Sequence, residues 1–285
     1  MARILITGTS RGIGYDAALL LARAGHDVVA TMRNPGASDL EKVAFETKLP
    51  IRVLPLDVDD DASVAALFAK VGDAIDVLVN NAGIFSINAV EDESLEQFRR
   101  VMETNYFGAV RCTKQVVPAM RKRGSGCILN VTSIAGRIAF PASSAYAASK
   151  FALEAFSESL AQELKGYGIK VALIEPGIID TPMATTSLPQ YAANSAYPHG
   201  RRTTAFFTNP AKPVAPVNLV GEMLRYVIEG DDARLRYPVG PDALPFLGWR
   251  ASLSDEDWVG MSGVEHDADY FERVYRDTGV DLRSA

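Results

Sequence analysis

The sequence contains little cysteine and no long apolar run. Its two cysteines, Cys112 and Cys127, fall inside predicted regular elements, which suits buried thiols in a reducing compartment better than a disulfide. No run approaches the ~18 apolar residues that a membrane-spanning helix needs. Residues 1–7 are too few to form the apolar region of a signal peptide. We therefore expect a cytoplasmic protein without a membrane span.

The chain also lacks an excess of positive charge. Its formal net charge is −6, whereas binding to nucleic acid requires a concentrated positive face. Residues 251–285 carry nine acidic and three basic side chains, so the rest of the chain is formally neutral. This balance excludes nucleic acid as a partner, and the acidic tail is expected to form a solvated terminal helix.

What the sequence does contain is a regular alternation of short apolar runs and amphipathic stretches. Strands buried on both faces read as continuous apolar runs, and their alternation with helices is typical of a parallel sheet. We predict an α/β fold with a doubly wound parallel sheet of about seven strands, which is a three-layer α/β/α Rossmann fold. The predicted strands are 3–7, 27–32, 51–56, 75–80, 126–131, 169–174 and 235–239, and the predicted helices are 13–24, 60–70, 95–121, 145–165 and 216–229.

The chain shows no repeat, low-complexity tract or linker, so residues 1–285 are expected to form a single domain. Residues 181–215 interrupt the alternation with five prolines, but they also contain leucine, tyrosine and phenylalanine. A long, irregular and partly apolar segment is typical of a functional loop or lid. We predict a substrate loop here, with a packed surface excursion as the alternative. Residues 240–285 form a C-terminal extension.

The first strand runs directly into the turn Thr7-Gly8-Thr9-Ser10-Arg11-Gly12-Ile13-Gly14, and a predicted helix follows. Glycines allow a tight turn and a close approach to a ligand, while free N–H groups at the start of a helix attract a pyrophosphate. The order of strand, turn and helix strengthens this interpretation. The sequence therefore predicts a dinucleotide site at the first turn.

The same residues match the G-x-S-x-G elbow of serine hydrolases, with His199 and His266 further along the chain. Such an elbow must lie centrally in a sheet, with an oxyanion loop supplied by an earlier strand. Only seven residues precede the motif here. We therefore reject the hydrolase interpretation.

The second strand indicates which dinucleotide is bound. NAD-binding sites usually carry an acid about 20 residues after the glycine turn, bonded to the ribose 2′-hydroxyl. Here the strand ends in Ala30-Thr31-Met32-Arg33, without an acid. Arg33 and Arg11 both offer donors to a 2′-phosphate, although either could be an ordinary solvated side chain. The pattern favours NADP(H) over NAD(H).

A tyrosine and a lysine four residues apart open the helix at 145–165. Tyr146 and Lys150 share one helix face, and a nearby cation is expected to lower the pKa of a phenol, which is about 10 in water. The strand ending at Ser133 and the strand followed by Pro176-Gly177 bring polar groups to the same edge of the sheet, where open α/β folds bind ligands. No metal site is predicted.

These motifs together resemble the classical short-chain dehydrogenase/reductase family. The resemblance covers residues 1 to about 181, with the motifs in the family's order and Ser133 thirteen residues before Tyr146. The matching motifs are Thr7-Gly8-x-x-x-Gly12-x-Gly14, Asp57, Asn80-Asn81-Ala82-Gly83, Asn105, Ser133, Tyr146-x-x-x-Lys150 and Pro176-Gly177-x-x-x-Thr181.

The resemblance implies a catalytic role for four residues. Tyr146 would be the general acid in reduction, and Ser133 would bond the substrate oxygen where negative charge develops. Lys150 would lower the pKa of Tyr146 and hold the ribose hydroxyls of the nicotinamide half. Asn105 would anchor a water that passes protons to Lys150.

The resemblance also implies a set of cofactor contacts. Asp57 would meet the adenine, Asn81-Ala82-Gly83 would line the adenosine side, and Thr181 would help to seat the carboxamide end. The full set expected to bind the cofactor is Gly8, Ser10, Arg11, Gly12, Ile13, Gly14, Arg33, Asp57, Val58, Asn81, Ala82, Gly83, Tyr146, Lys150, Pro176, Gly177 and Thr181.

The resulting hypothesis is that residues 1–285 form a single dinucleotide-binding and catalytic domain. Its expected reaction is NADP(H)-dependent reduction of a ketone or aldehyde, or oxidation of the alcohol, in a small apolar molecule. Phe85, Ile138, Phe140, Met183 and residues 185–210 are expected to line the substrate pocket, although the phenylalanines could equally be core residues.

The alternative is a binding protein that senses NADP(H) without turnover. A family lyase or epimerase is disfavoured by the glycine spacing. Family members commonly pair through the helices at 95–121 and 145–165, so a homodimer or homotetramer is expected.

Overall fold

The sheet contains seven parallel strands in the order β3-β2-β1-β4-β5-β6-β7. We describe it from a computed structural model in which residues 1–183, 195–208 and 215–283 are placed. The predicted Rossmann fold is confirmed, and each strand lies within two residues of its predicted limits. The strands are β1 Arg3–Thr7, β2 Asp27–Met32, β3 Ile51–Pro55, β4 Val77–Asn80, β5 Gly126–Val131, β6 Ile169–Pro176 and β7 Arg236–Val239.

Helices cover both faces of the sheet. On one face, α1 (Gly12–Arg23) and α8 (Asn218–Glu229) pack on an apolar cluster with residues of β1, β2 and β4 to β7. On the other face, α3 (Asp61–Val71), α5 (Gly108–Arg123) and α6 (Ser144–Leu164) bury a second cluster. The result is a three-layer sandwich, and its ligand-binding edge is formed by the carboxyl ends of the strands.

The predicted helix 95–121 is not continuous. It consists of α4 (Leu95–Met102), a π-helical turn at Glu103–Phe107, and α5. Single π turns inside α-helices are frequent at functional sites, and this one contains Asn105. A short helix that was not predicted, α2 (Leu40–Thr47), follows β2.

Part of the segment 181–215 is helical, which the irregular sequence did not predict. Helix α7 (His199–Thr208) lies in it, and Ile179 forms a parallel bridge with Ala215. The remainder of the predicted substrate loop, residues 184–194 and 209–214, lies outside the described residues.

Residues 240–283 of the C-terminal extension form three α-helices, α9 (Ala243–Ser252), α10 (Asp255–Gly260) and α11 (Asp267–Thr278). The expectation of a solvated terminal helix is wrong for α11, because Tyr270, Phe271 and Val274 are buried on one of its faces. This face packs in a third apolar cluster with residues of α7 and α9. Asp269 and Glu272 of the same helix are exposed, so an acidic segment still contributes an apolar face to the core.

Candidate active site

The turn after β1 has the backbone geometry that its glycines permit. Gly8 has φ +73 and Gly12 has φ +62, in a backbone region that residues other than glycine rarely adopt. A Cβ on Gly8 would lie 2.7 Å from the Cα of Ala82, and one on Gly14 would lie 2.4 Å from the carbonyl oxygen of Gly8. Gly8 therefore allows β1 and the segment after β4 to approach each other, and Gly14 allows the turn to fold onto α1.

Hydrogen bonds hold the ends of β1 and β4 together. The backbone N–H groups of Asn81 and Ala82 donate to Thr7 Oγ1 at 3.0 and 2.9 Å. In return, Asn81 Nδ2 donates to the carbonyl oxygens of Thr7 and Gly8 at 2.9 and 3.1 Å. The strand order reverses between β1 and β4, so this network fixes the crevice at the topological switch point.

A cavity of about 520 Å³ runs along this edge of the sheet. Of the predicted site residues, Gly14 does not line the cavity and supports the turn from behind, and Asn105 lies behind the wall. Those that line it are Gly8, Ser10, Arg11, Gly12, Ile13, Arg33, Asp57, Val58, Asn81, Ala82, Gly83, Ser133, Tyr146, Lys150, Pro176, Gly177 and Thr181.

At one end of the cavity the wall is charged. Arg11 and Arg33 are both exposed and line it. Asp59, which the sequence analysis did not single out, lines it too and accepts a hydrogen bond from Thr104 Oγ1 at 2.8 Å. Burial raises the pKa of the Asp59 carboxyl, and the Arg33 charge acts in the opposite direction. Arg33 is therefore close enough to Asp59 to interact with it across this end of the cavity.

Near the middle of the cavity, Tyr146 lies in the first turns of α6 between Ser133 and Phe85. The ring of Phe85 contacts the Tyr146 ring edge-to-face, with centroids 4.6 Å apart. Burial raises the pKa of Tyr146 to about 12, and a hydrogen bond with the Ser133 side chain opposes this change. The phenol is thus protonated at neutral pH, with its hydroxyl beside a second hydroxyl.

Lys150 is 4% exposed, and its Nζ donates to the carbonyl oxygen of Val131 at 2.9 Å. Burial lowers the pKa of Lys150 to about 8, and the charge of Glu154 opposes this change. The Lys150 ammonium lies 5.6 Å from the centroid of the Tyr146 ring. The net direction of the Tyr146 pKa is thus opposite to the predicted one, because burial outweighs the hydrogen bond with Ser133.

Asn105 connects the π-helical turn to two other parts of the site. Its Oδ1 accepts from the Ile84 N–H at 2.8 Å, and its Nδ2 donates to the Ile84 carbonyl at 2.9 Å and to Ser149 Oγ at 2.9 Å. A Cβ on Gly83 would lie 3.3 Å from Asn105 Oδ1 and 3.7 Å from Lys150 Nζ. Asn105 thus fixes the segment after β4 against α6, directly beside Lys150.

The other end of the cavity is aromatic. As expected, Phe85, Phe140 and Met183 line it, whereas Ile138 does not and belongs to the third apolar cluster instead. Phe206 and Phe207 of α7 also line the cavity, and Phe207 contacts Phe85 at a centroid distance of 5.2 Å. Phe246 of α9 completes this wall. No local pattern connects position 246 with the cavity, so sequence reasoning missed it.

Neither histidine of the alternative hydrolase motif lines the cavity with Ser10. His199 Nε2 lies 3.3 Å from the carbonyl oxygen of Ser262. Within residues 1–183, 195–208 and 215–283, no three His, Cys, Asp or Glu side chains group in a way that could hold a metal ion. No helix in that part of the chain is long and apolar enough to cross a membrane.

The glycine turn, the switch-point crevice and the cluster of Ser133, Tyr146 and Lys150 define a dinucleotide-dependent oxidoreductase of the α/β class. Residues 2–192 match the short chain dehydrogenase family, and the chain belongs to that family. The family binds a nicotinamide cofactor, and the glycine cradle and the cavity along the strand ends fit such a group.

Two relatives and one solved structure illustrate the similarity. The uncharacterized oxidoreductase YusZ of Bacillus subtilis is 40% identical over 269 residues, which are 90% of this chain and 95% of that protein. Human retinol dehydrogenase 8 is 41% identical over 192 residues, 66% of this chain and 62% of its own. A short-chain dehydrogenase from Streptomyces avermitilis superposes with a TM-score of 0.77 at 29% identity, covering 96% of this chain and 98% of that one. The similarity to that structure therefore extends over the C-terminal extension.

Proposed function

We propose that this protein is an NADP(H)-dependent oxidoreductase that reduces the ketone or aldehyde group of a small apolar molecule and catalyses the reverse oxidation. The observation that supports this best is the position of Ser133, Tyr146 and Lys150. They line the cavity together, and the cavity is bounded by the glycine turn and by an aromatic wall. A protein that only senses NADP(H) has no need for this cluster.

In the proposed reduction, Tyr146 donates its phenolic proton to the carbonyl oxygen of the substrate. The bound nicotinamide supplies the hydride. Tyr146 is protonated at neutral pH, so the proton that the reduction requires is present on the phenol. Ser133 bonds the same substrate oxygen as its negative charge develops. In the oxidation, Tyr146 accepts the proton of the alcohol.

Lys150 and Asn105 support this proton transfer. In the proposal, the Lys150 ammonium favours the phenolate left after proton donation and holds the ribose hydroxyls of the cofactor. The raised pKa of Tyr146 makes this contribution necessary, because an isolated buried phenolate would be costly. Asn105 keeps Ile84 and Ser149 in place beside Lys150, and we assign it a water that returns protons from solvent.

The choice of NADP(H) rests on charge at the Arg11 and Arg33 end of the cavity. Both guanidinium groups are exposed there, and β2 ends at Met32 without an acid that would bond a ribose 2′-hydroxyl. A 2′-phosphate would find two cations at this end.

The aromatic wall supports an apolar substrate. Phe85, Phe140, Phe206, Phe207 and Phe246 offer contact area and, apart from the Tyr146 and Ser133 hydroxyls, few polar groups. The similarity to human retinol dehydrogenase 8 agrees with a substrate of this class. We also propose a homodimer or homotetramer that pairs through the α4–α5 region and α6.

The experiment follows the absorbance of NADPH, and separately NADH, with a panel of apolar ketones and aldehydes. Tyr146→Phe should bind NADPH normally but lose at least about 10²-fold in turnover, the lower range for a general acid. Arg33→Ala should weaken the binding of NADPH more than the binding of NADH. Wild-type turnover in Tyr146→Phe would exclude the assigned acid. NADPH binding without turnover of any carbonyl by the wild type would favour the sensing alternative.

A further inference from the structure

Asp242 lies directly behind the cavity wall that follows β6. It is 2% exposed and belongs to the C-terminal extension, between β7 and α9. Its Oδ2 accepts a hydrogen bond from the Ile178 N–H at 2.9 Å. Ile178 and its neighbours Pro176, Gly177 and Ile179 line the cavity, whereas Asp242 does not. Asp242 therefore contacts the wall from its buried side.

The position of Asp242 in the sequence suggests a different task, which the structure does not bear out. It is the N-cap residue of α9, where an aspartate commonly accepts a hydrogen bond from the second or third N–H of its own helix. Asp242 makes no such side-chain bond. Its carboxylate is directed away from α9 and towards the segment after β6.

The carboxylate fits between two glycines. A Cβ on Gly177 would lie 2.5 Å from Asp242 Oδ1, and a Cβ on Gly240 would lie 3.0 Å from the same atom. A side chain at position 177 would therefore collide with Asp242, so the position requires glycine. The Gly177 N–H also donates to the Val239 carbonyl at 2.8 Å, and the Asp180 N–H donates to the Ala215 carbonyl at 2.9 Å. The segment after β6 is therefore held from behind by chain beyond residue 192, where the match to the family ends.

We propose that Asp242 is a positioning residue that sets the Pro176–Ile179 wall for the nicotinamide half of the cofactor. The inference rests on the proposed function in one respect, the assignment of this wall to the cofactor. Without the carboxylate, the buried Ile178 N–H loses its acceptor and Gly177 loses its support. The wall then relaxes into the space that Asp242 filled, and the cofactor meets a less preorganised surface.

The test compares Asp242→Ala, Asp242→Asn and a matched N-cap variant, Ser254→Ala. Ser254 caps α10 in the same extension by accepting from the Asp257 N–H at 3.0 Å. Asp242→Ala should raise the Kd and KM for NADPH about tenfold, the effect of losing one well-placed buried hydrogen bond, with a smaller change in kcat. Asp242→Asn keeps an acceptor oxygen and should stay within about threefold of the wild type. Ser254→Ala should lower the Tm without changing the Kd.

Hydrogen exchange supplies a readout that needs neither cofactor nor activity. The peptide containing Ile178 should exchange faster in Asp242→Ala than in the wild type, and it should remain protected in Asp242→Asn and Ser254→Ala. Failure of the proposed function would show in Tyr146→Phe, whereas the exchange of Ile178 and the Kd for NADPH test Asp242 independently of turnover.

Two results would overturn the inference. One is an unchanged Kd for NADPH in folded Asp242→Ala. The other is an Asp242→Asn variant that binds NADPH as weakly as Asp242→Ala does. If Asp242→Ala does not fold, Asp242→Glu replaces it. The longer side chain keeps the charge but does not fit between Gly177 and Gly240, so weaker NADPH binding is expected, and wild-type affinity would reject the positioning role.

Discussion

Replacing Glu175 with glutamine should stabilise the protein at pH 8 and have a much smaller effect at pH 5. Glu175 is the last residue but one of β6 and is fully buried. Arg137 Nη1 lies 3.5 Å and Arg236 Nε 3.6 Å from its carboxylate oxygens. Burial raises the pKa of Glu175 to about 7, the charge of Glu154 raises it further, and both arginines oppose the change.

The size of the effect follows from this pKa. Folding raises it from 4.5 to about 7, so the folded state binds the proton more tightly than the unfolded chain does. The contribution of this carboxyl to stability is therefore complete below about pH 4.5 and is lost as the pH rises through about 7. At about 1.4 kcal/mol for each tenfold change in proton affinity, the loss reaches roughly 3 kcal/mol. Glutamine stays neutral and does not incur it.

The assay is urea unfolding of both proteins at pH 5 and pH 8, with the free energy of unfolding extrapolated to water. The advantage of Glu175→Gln should be about 2 kcal/mol larger at pH 8 than at pH 5. Glu158→Gln is the control, because Glu158 pairs with the same Arg236 at 2.7 Å but its side chain is 54% exposed. Equal differences at the two pH values would contradict this expectation. A loss of stability at pH 8 would do so too, because it would mean that the two arginines outweigh burial.

Two further substitutions test the site. Gly8→Ala should abolish NADPH binding and destabilise the protein by about 1–3 kcal/mol more than Gly25→Ala does. Both glycines have a positive φ, but of the two only Gly8 has a neighbour, Ala82, where a Cβ would lie. Similar urea unfolding curves for the two variants would contradict this prediction. Lys150→Met should lose turnover yet gain about 1–2 kcal/mol of stability at pH 7. Burial lowers the pKa of Lys150 to about 8, so the buried ammonium destabilises the folded state below that pH. The gain in stability of Lys150→Met should therefore shrink between pH 8 and 10.5. An unchanged stability at pH 7 would argue against this cost of burying the charge.

The sequence predicted the elements whose signal is local. Each strand is a short apolar run, and the turn at Thr7–Gly14 carries its conformational requirements in its own glycines. Tyr146 and Lys150 share one face of α6 through helical spacing alone. In a parallel sheet, the polar residues after β4, β5 and β6 must meet at one edge, so most of the cavity wall could be predicted before any coordinates.

The elements that sequence reasoning missed depend on contacts between distant parts of the chain. The π-helical turn at Glu103–Phe107 places Asn105 against Ile84 and Ser149, a distortion that no periodicity reveals. Burial raises the pKa of Tyr146, whereas the i, i+4 spacing of Lys150 predicted the opposite direction.

The strands, the glycine turn and the Tyr146–Lys150 pair could be identified from the sequence, because each depends on neighbours within a few residues. The contribution of the C-terminal extension to the site, through Phe246 in the aromatic wall and Asp242 behind Gly177, became evident from the three-dimensional arrangement. Phe246 and Asp242 follow Gly177 by more than 60 residues, and the aromatic wall and the space left for a Cβ at Gly177 depend on them. Contacts between residues so far apart in the sequence cannot be predicted from a local sequence pattern.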